Sequence, residues 1–229
     1  MKLNSKELRD QKDWDEYWGS KSIKTKKIYD FIASAYRDFF LRKYVSYFSK
    51  KNFNLQCTLL HAGCGGGQVD SFILNDYKVT ALDISEQALN QYKLNNGNRA
   101  TTILGSIFQT EFENEMFDGI YNLGVMEHFT PEEIQNILVE FKRILKPTGK
   151  IVIYWPPVFG LSVKVLDFAH FLLHKVFRQR VQLHPPEITR IKSKNHAISI
   201  FSEAGFKNIQ YYFGPKDLFV QCVISASIN

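Results

Sequence analysis

Leu59-Leu60-His61-Ala62-Gly63-Cys64-Gly65-Gly66-Gly67-Gln68 decides how the rest of this chain is read. The apolar run predicts a strand, the glycines a tight turn, and Val69, Phe72, Ile73 and Leu74 a helix over 68–75. Glycine takes positive φ without strain and has no Cβ to hold a ligand off the backbone. The amides opening the next helix would then point at whatever docks there. An ordinary strand-to-helix turn gives the same pattern, so the meaning of the loop depends on what else stands at the right distance.

Working outward, the sequence alternates. Cys57–Ala62, Lys78–Leu82, Thr101–Leu104, Phe117–Asn122 and Lys150–Trp155 read as strands. Between them, Ser85 caps a helix to about Leu94, and Thr130-Pro131-Glu132-Glu133 opens another that runs to about Leu145. Near-continuous apolar strands alternating with helices predict a parallel sheet covered on both faces. After Pro156-Pro157 the rhythm stops. Val158–Arg180 reads as a basic amphipathic helix, and a loop holding His184 follows. Asn195–Ala204 is a helix closed by Gly205, and strands near Asn208–Phe213 and Leu218–Ser225 flank a Gly214–Asp217 turn. On the other side of the loop, Ile28–Phe48 has helical spacing. Residues 1–25 are polar, and their Trp14 and Trp18 either cover a ligand or anchor the arm to the body, with anchoring the expected role.

The expected fold is therefore α/β: a Rossmann-like, seven-stranded, mostly parallel sheet with an antiparallel C-terminal hairpin, helices on both faces and an extra helical lid. The simplest partition is one domain over 1–229: a helical arm (1–50), a cofactor-binding core (51–155), an inserted lid segment (156–193) and a C-terminal helix with hairpin (194–229). A chain of 229 residues can bury such a core. Its 45% hydrophobic and 23% charged composition does not suggest disorder. The net charge of +6 is spread along the chain and says little about nucleic acid or membranes. Cys57, Cys64 and Cys222 are too scattered for a disulfide framework, which fits a reduced, cytoplasmic setting. Cys64 with His61 lacks a second ligand pair, so no metal is expected. The polar N-terminus shows no signal segment, and no apolar run is long enough to span a bilayer.

Asp83 stands at the end of the second strand, twenty residues after Gly63. A carboxylate there can accept both hydroxyls of an adenosine ribose. A dinucleotide loop needs glycine where Gln68 stands, so loop and carboxylate favour a nucleoside cofactor without a pyrophosphate.

In Ala62–Gln68, Leu82-Asp83-Ile84-Ser85, Gly105-Ser106-Ile107, Phe117-Asp118-Gly119-Ile120, Val125-Met126-Glu127-His128-Phe129, Leu145–Lys150 and Glu203-Ala204-Gly205-Phe206, the chain resembles the class I S-adenosylmethionine-dependent methyltransferases. The branch acting on small molecules and lipids, which includes ubiquinone-biosynthesis-like enzymes, is the nearest in pattern. The resemblance covers about 28–155 and 195–225. It implies a methyl transfer to a small, hydrophobic or aromatic acceptor by in-line displacement, with S-adenosylmethionine as cofactor. It further implies that Ala62, Gly63, Cys64, Gly65, Gly67 and Gln68 face the methionine and ribose, and that Asp83 holds the ribose hydroxyls. Ile84 would pack on the adenine, Ser106 and Ile107 would line its edge, and Asn122, Leu123 and Gly124 would lie under the methionine. Tyr36, in Ala33-x-x-Tyr36, would approach the methionine end. His128 is the candidate general base, with packing or capping beside Thr130 as its alternative role. His170, His174 and His184 could line the acceptor pocket.

Two departures stand out. The family usually has an acidic residue where His61 stands, helping to hold the cofactor ammonium, and often Asp where Ser106 stands. Competing classes are a non-catalytic cofactor-binding module and an NAD-dependent oxidoreductase. A nucleic-acid partner is not expected, since the Asn/Asp-Pro-Pro-aromatic signature is absent after the fourth strand. The 158–180 helix could form a lid, rest on a membrane surface, or both.

Overall fold

The computed structural model describes residues 5–19, 34–161, 163–164 and 187–229. Most of the inserted segment, with His170, His174 and His184, lies outside the described residues, as do Ile28–Ala33.

Five strands run parallel: β1 (Thr58–Ala62), β2 (Lys78–Asp83), β3 (Thr101–Leu104), β4 (Phe117–Leu123) and β5 (Leu145–Trp155). β6 (Lys207–Tyr212) and β7 (Cys222–Ser227) complete a sheet ordered β3-β2-β1-β4-β5-β7-β6, with β7 antiparallel to both neighbours. The expected seven-stranded, mostly parallel sheet with its terminal hairpin is therefore present. The direction of chain travel reverses beside β1, where β1 pairs with both β2 and β4. In an open α/β sheet, that switch point at the carboxyl ends of the strands is where ligands bind.

Alternate residues of each central strand feed two cores, because successive side chains point to opposite faces. Leu60, Ile120, Ile151 and Ile153 join Ile134, Ile137, Leu138 and Phe141 of α5 (Pro131–Ile144) and Phe201 of α6 (Lys194–Glu203). Leu59, Tyr121, Val152 and Tyr154 meet Tyr44, Val45 and Phe48 of α2 (Arg42–Asn52) on the other face. The caps read from sequence form. Ser85 accepts from the Ala88 amide at the start of α4 (Glu86–Asn96), and Thr130 with Glu133 makes a reciprocal capping box.

Three local expectations change. Residues 68–72 form successive turns, and only Ile73–Asp76 (α3) is helical. Gly67 to Asp70 closes an i→i+3 turn, and Asp70 spends its side chain inward on His61 and Tyr92, so no regular helix follows the glycines. The last strand begins at Cys222, because Leu218 and Phe219 take positive φ (62° and 58°) and cannot continue a ladder. β5 starts at Leu145, which pairs with Phe117, rather than after Gly149. The polar N-terminal stretch is a helix, α1 (Ser5–Gly19). The Ile28–Phe48 helix appears from Ser34 on, with a π-helical stretch at Arg37–Leu41 leading into α2.

Candidate active site

The glycine loop hangs from the end of β2. The amides of Gly63 and Cys64 both donate to the Leu82 carbonyl, at 2.8 and 3.0 Å. Gly65 donates to Asp83 Oδ2 at 2.7 Å, and Ser85 donates to Oδ1 at 2.9 Å. Asp83 therefore fixes the loop and the start of α4 together, and the two oxygens keep further lone pairs for ligand hydroxyls. Burial pushes its carboxyl up, against the pull of the Ser85 and Gly65 amides and of nearby His61. A donor arriving from a ligand would relieve that penalty.

The loop requires its glycines. Gly67 has φ of +61°, and a Cβ there would meet the Tyr92 ring at 2.2 Å. At Gly65 (φ +50°) a Cβ would stand 2.8 Å from Trp18, whose indole rests over Gly65 and Gly66. Cys64 is buried, with its thiol pushed up by burial, which makes it an unreactive wall. Gln68 secures the loop from outside: its carbonyl accepts from Arg42 Nε at 3.1 Å and its amide reaches Ser34 Oγ at 3.4 Å.

His61 faces away from any solvent-exposed ligand. Its Nδ1 lies 2.8 Å from Asp70 Oδ2, the same oxygen that accepts from Tyr92 Oη at 2.7 Å, and its ring stacks on Tyr121 at 4.3 Å. All of these groups are buried. Asp70 thus brings to position 61 the acidic character that the sequence lacks there. Nothing in the sequence announced this relay, because the partners at 70, 92 and 121 lie on three separate elements.

The other predicted site residues lie on the ends of β2, β3 and β4 and on the helical segment ahead of α2. Asn122 donates to the Ala62 carbonyl at 2.7 Å, tying β4 to β1, while its buried Oδ1 has no partner among the described residues. Leu123 and Gly124 end β4, with Gly124 at φ +68°. Ile84 follows Asp83 and is half-buried. Ser106 and Ile107 lie past β3, both buried, with Ser106 Oγ accepting from the Phe108 amide at 3.2 Å. Tyr36 approaches from the helical segment ahead of α2, and its hydroxyl donates to the Asp217 carbonyl at 3.2 Å. His128 ends a 3₁₀ turn, Met126–His128, and its half-buried ring stands edge-on to Trp14 at 5.1 Å.

Sequence reading missed α1 as part of the site. Trp18 covers the loop, Trp14 meets His128, and Asp15 Oδ1 accepts from Ser85 Oγ (2.5 Å) and the Gln87 amide (3.3 Å). Trp14, Asp15 and Trp18 stand at helical spacing, i, i+1 and i+4, and that was the available signal. The tryptophans anchor the arm, Trp18 on the glycine loop and Trp14 on His128.

The insertion is clamped at both ends. Val158 donates to the Ile191 carbonyl, Leu161 to Phe219, and Trp155 Nε1 to Thr189. The amides of Ile188 and Thr189 both donate to the Glu127 carbonyl, at 2.6 and 3.0 Å. Among the described residues, no cluster of side chains could hold a metal ion, and no helix is long and apolar enough to cross a membrane.

Comparison with known proteins agrees with this geometry. Residues 60–153, from within β1 to within β5, match the family model described as a methyltransferase domain. An uncharacterized methyltransferase of Synechocystis sp. is 29% identical over 106 residues, covering 42% of this chain and 50% of the relative. The chain thus spans about half the length of that relative. In fold, the chain is similar to a Thermotoga maritima protein described as a possible histamine N-methyltransferase (15% identity, 88% of this chain and 96% of the other, TM-score 0.61). It is likewise similar to the Burkholderia thailandensis 1,6-didemethyltoxoflavin-N1-methyltransferase, solved with its substrate and S-adenosylhomocysteine (17% identity, 89% and 87%, TM-score 0.61).

Proposed function

We infer that this chain, with a methyltransferase domain matched over residues 60–153, is an S-adenosylmethionine-dependent methyltransferase. The observation that carries the reading is the glycine cradle hung on Asp83 at the sheet's switch point. The residues present fit that cofactor. The missing Cβ atoms let Val125, Trp18 and Tyr92 close around the loop, Asp83 keeps acceptor capacity, and the Gln68 side chain occupies the place where a dinucleotide loop needs glycine. Ser106 and Ile107 would border the adenine, and Tyr36, Asn122, Leu123 and Gly124 the methionine. When bound, the sulfonium supplies an activated methyl and its own leaving group. The protein's task is then to hold two reactants in line and exclude water, a contribution of roughly several kcal/mol. A proton acceptor is needed only where the nucleophile carries a proton, and His128 and Glu127 stand together at that corner.

The acceptor we propose is small and hydrophobic or aromatic, as for the small-molecule and lipid branch. Supporting this, Phe39, Phe40, Phe159 and Phe219 are exposed, and Phe159, Phe213 and Phe219 form a chain of rings 5.0 and 5.6 Å apart. The 158–180 segment would shape that pocket or touch a membrane surface from a cytoplasmic position. Sedimentation with anionic liposomes at low salt tests the membrane part, and absence of binding removes it. Calorimetry with S-adenosylmethionine and with NAD tests the main reading: binding of NAD alone would replace it by an oxidoreductase, while cofactor binding without turnover on any acceptor would favour a binding module.

A further inference from the structure

Resting on the methyltransferase reading, we propose that Glu127 faces the methyl-transfer position and takes the proton from the acceptor, whose nucleophile is therefore an amine nitrogen or a hydroxyl oxygen.

Glu127 sits one turn past the end of β4, which places it at the carboxyl edge of the sheet beside the strand that touches β1. Its side chain is 6% exposed, yet Oε2 has no hydrogen-bond partner among the described residues. Asp70 Oδ1 and Asp217 Oδ1 are likewise unpartnered among the described residues, but in each the second oxygen is bonded. Asp70 takes His61 and Tyr92, and Glu140 takes the Thr110 amide and hydroxyl together with Arg143. A buried polar oxygen left without a partner calls for a ligand or a catalytic use. Its direction is also given. Around the position a Cβ would take on Gly124, the single atom within 4 Å outside that glycine's own chain neighbours is Glu127 Oε1, at 3.8 Å. Gly124 is the residue expected beneath the methionine, so the carboxyl borders the space where the methyl would be presented.

The backbone holds it there. The Glu127 carbonyl takes the amides of Ile188 and Thr189, so the returning end of the insertion and the carboxyl move as one. Glu187 and Arg190, which pair with each other on that returning end, and Cys222 at the start of β7 are the titratable groups around it. Burial first, and Glu187 second, push the Glu127 carboxyl up to about 8, the range in which a carboxylate can both accept and return a proton near neutrality. The His128 ring, by contrast, stands edge-on to Trp14.

The chemistry balances without a further reactant. The acceptor's lone pair forms the new C–N or C–O bond as the C–S bond breaks, its electron pair leaving with sulfur as a neutral thioether. The acceptor's proton passes to Glu127 Oε2 and then to water.

The test needs no knowledge of the acceptor. Sinefungin carries an ammonium-bearing carbon where the cofactor has its methylsulfonium, and S-adenosylhomocysteine has nothing there. By calorimetry at pH 8, Glu127→Gln should weaken sinefungin about tenfold, the effect of one charge-assisted hydrogen bond, and leave S-adenosylhomocysteine within about twofold. In the wild type, the preference for sinefungin should grow as pH rises from 6 to 8.5. Binding of both compounds with a preference unchanged by the substitution overturns the inference alone. Should the variant fail to fold, a wild-type preference that is flat with pH overturns it equally. A wild type that binds neither compound overturns the methyltransferase reading together with it.

Discussion

Asp83 holds two backbone amides before any ligand arrives, so its removal should act on the loop and the ligand at once. Hydrogen bonds to a charged group are worth about 1.5–3 kcal/mol, and Asp83→Ala should therefore weaken S-adenosylmethionine roughly ten- to a hundredfold by calorimetry. At Gly67, Gly67→Ala combines positive φ with a clash on Tyr92 and should cost about 2 kcal/mol, lowering the melting temperature by about 4–8 °C. Two carboxyls give the stability a pH dependence. Burial raises Asp217 to about 6 and Glu127 to about 8, so the native state binds more protons than the unfolded chain. Their contribution is full at low pH and is lost as pH rises through about 6 and then about 8. The urea midpoint should fall from about pH 4 to about pH 8, and Glu127→Gln should remove the part of that fall between about pH 6 and pH 8. At this scale the sequence was legible where chemistry is local: the glycines and Asp83 identify themselves by spacing. His61 did not, because what it does is set by Asp70, and an inward carboxylate cannot be told from a surface one in a single sequence.

Among the elements, caps and strands were readable and the contacts of the arm were not. Thr130 forms the reciprocal capping box that its sequence announces, and Thr130→Ala should cost about 1 kcal/mol, seen in the thermal midpoint. The arm was expected to be helical, but the contacts of α1 were overlooked because its face is polar and its partners lie 70 residues away in Ser85 and Gln87. Asp15→Ala removes the acceptor for both, and should release α1 and speed proteolysis near Gly19 while the melting temperature changes little. Unaltered cleavage would mean that the tryptophans alone hold the helix. The turn after the glycine loop was misjudged for a related reason: apolar spacing promised a helix, but the buried demands of Asp70 govern the backbone there.

For the molecule as a whole, alternation of strands and helices carried the fold class, since covered parallel strands have few other arrangements. What the pattern could not supply was closure: the way Pro157 and Ile191 bring the two ends of the insertion together, and how Glu127 is caught between them. Closure also has an optical side. The chain has three tryptophans; Trp155 is fully buried, Trp18 rests on Gly65 and Gly66, and Trp14 touches His128. Two of its three strongest emitters therefore sit on α1 against the glycine loop and His128, so intrinsic fluorescence in a stopped-flow mixer should time ligand arrival and departure without a label.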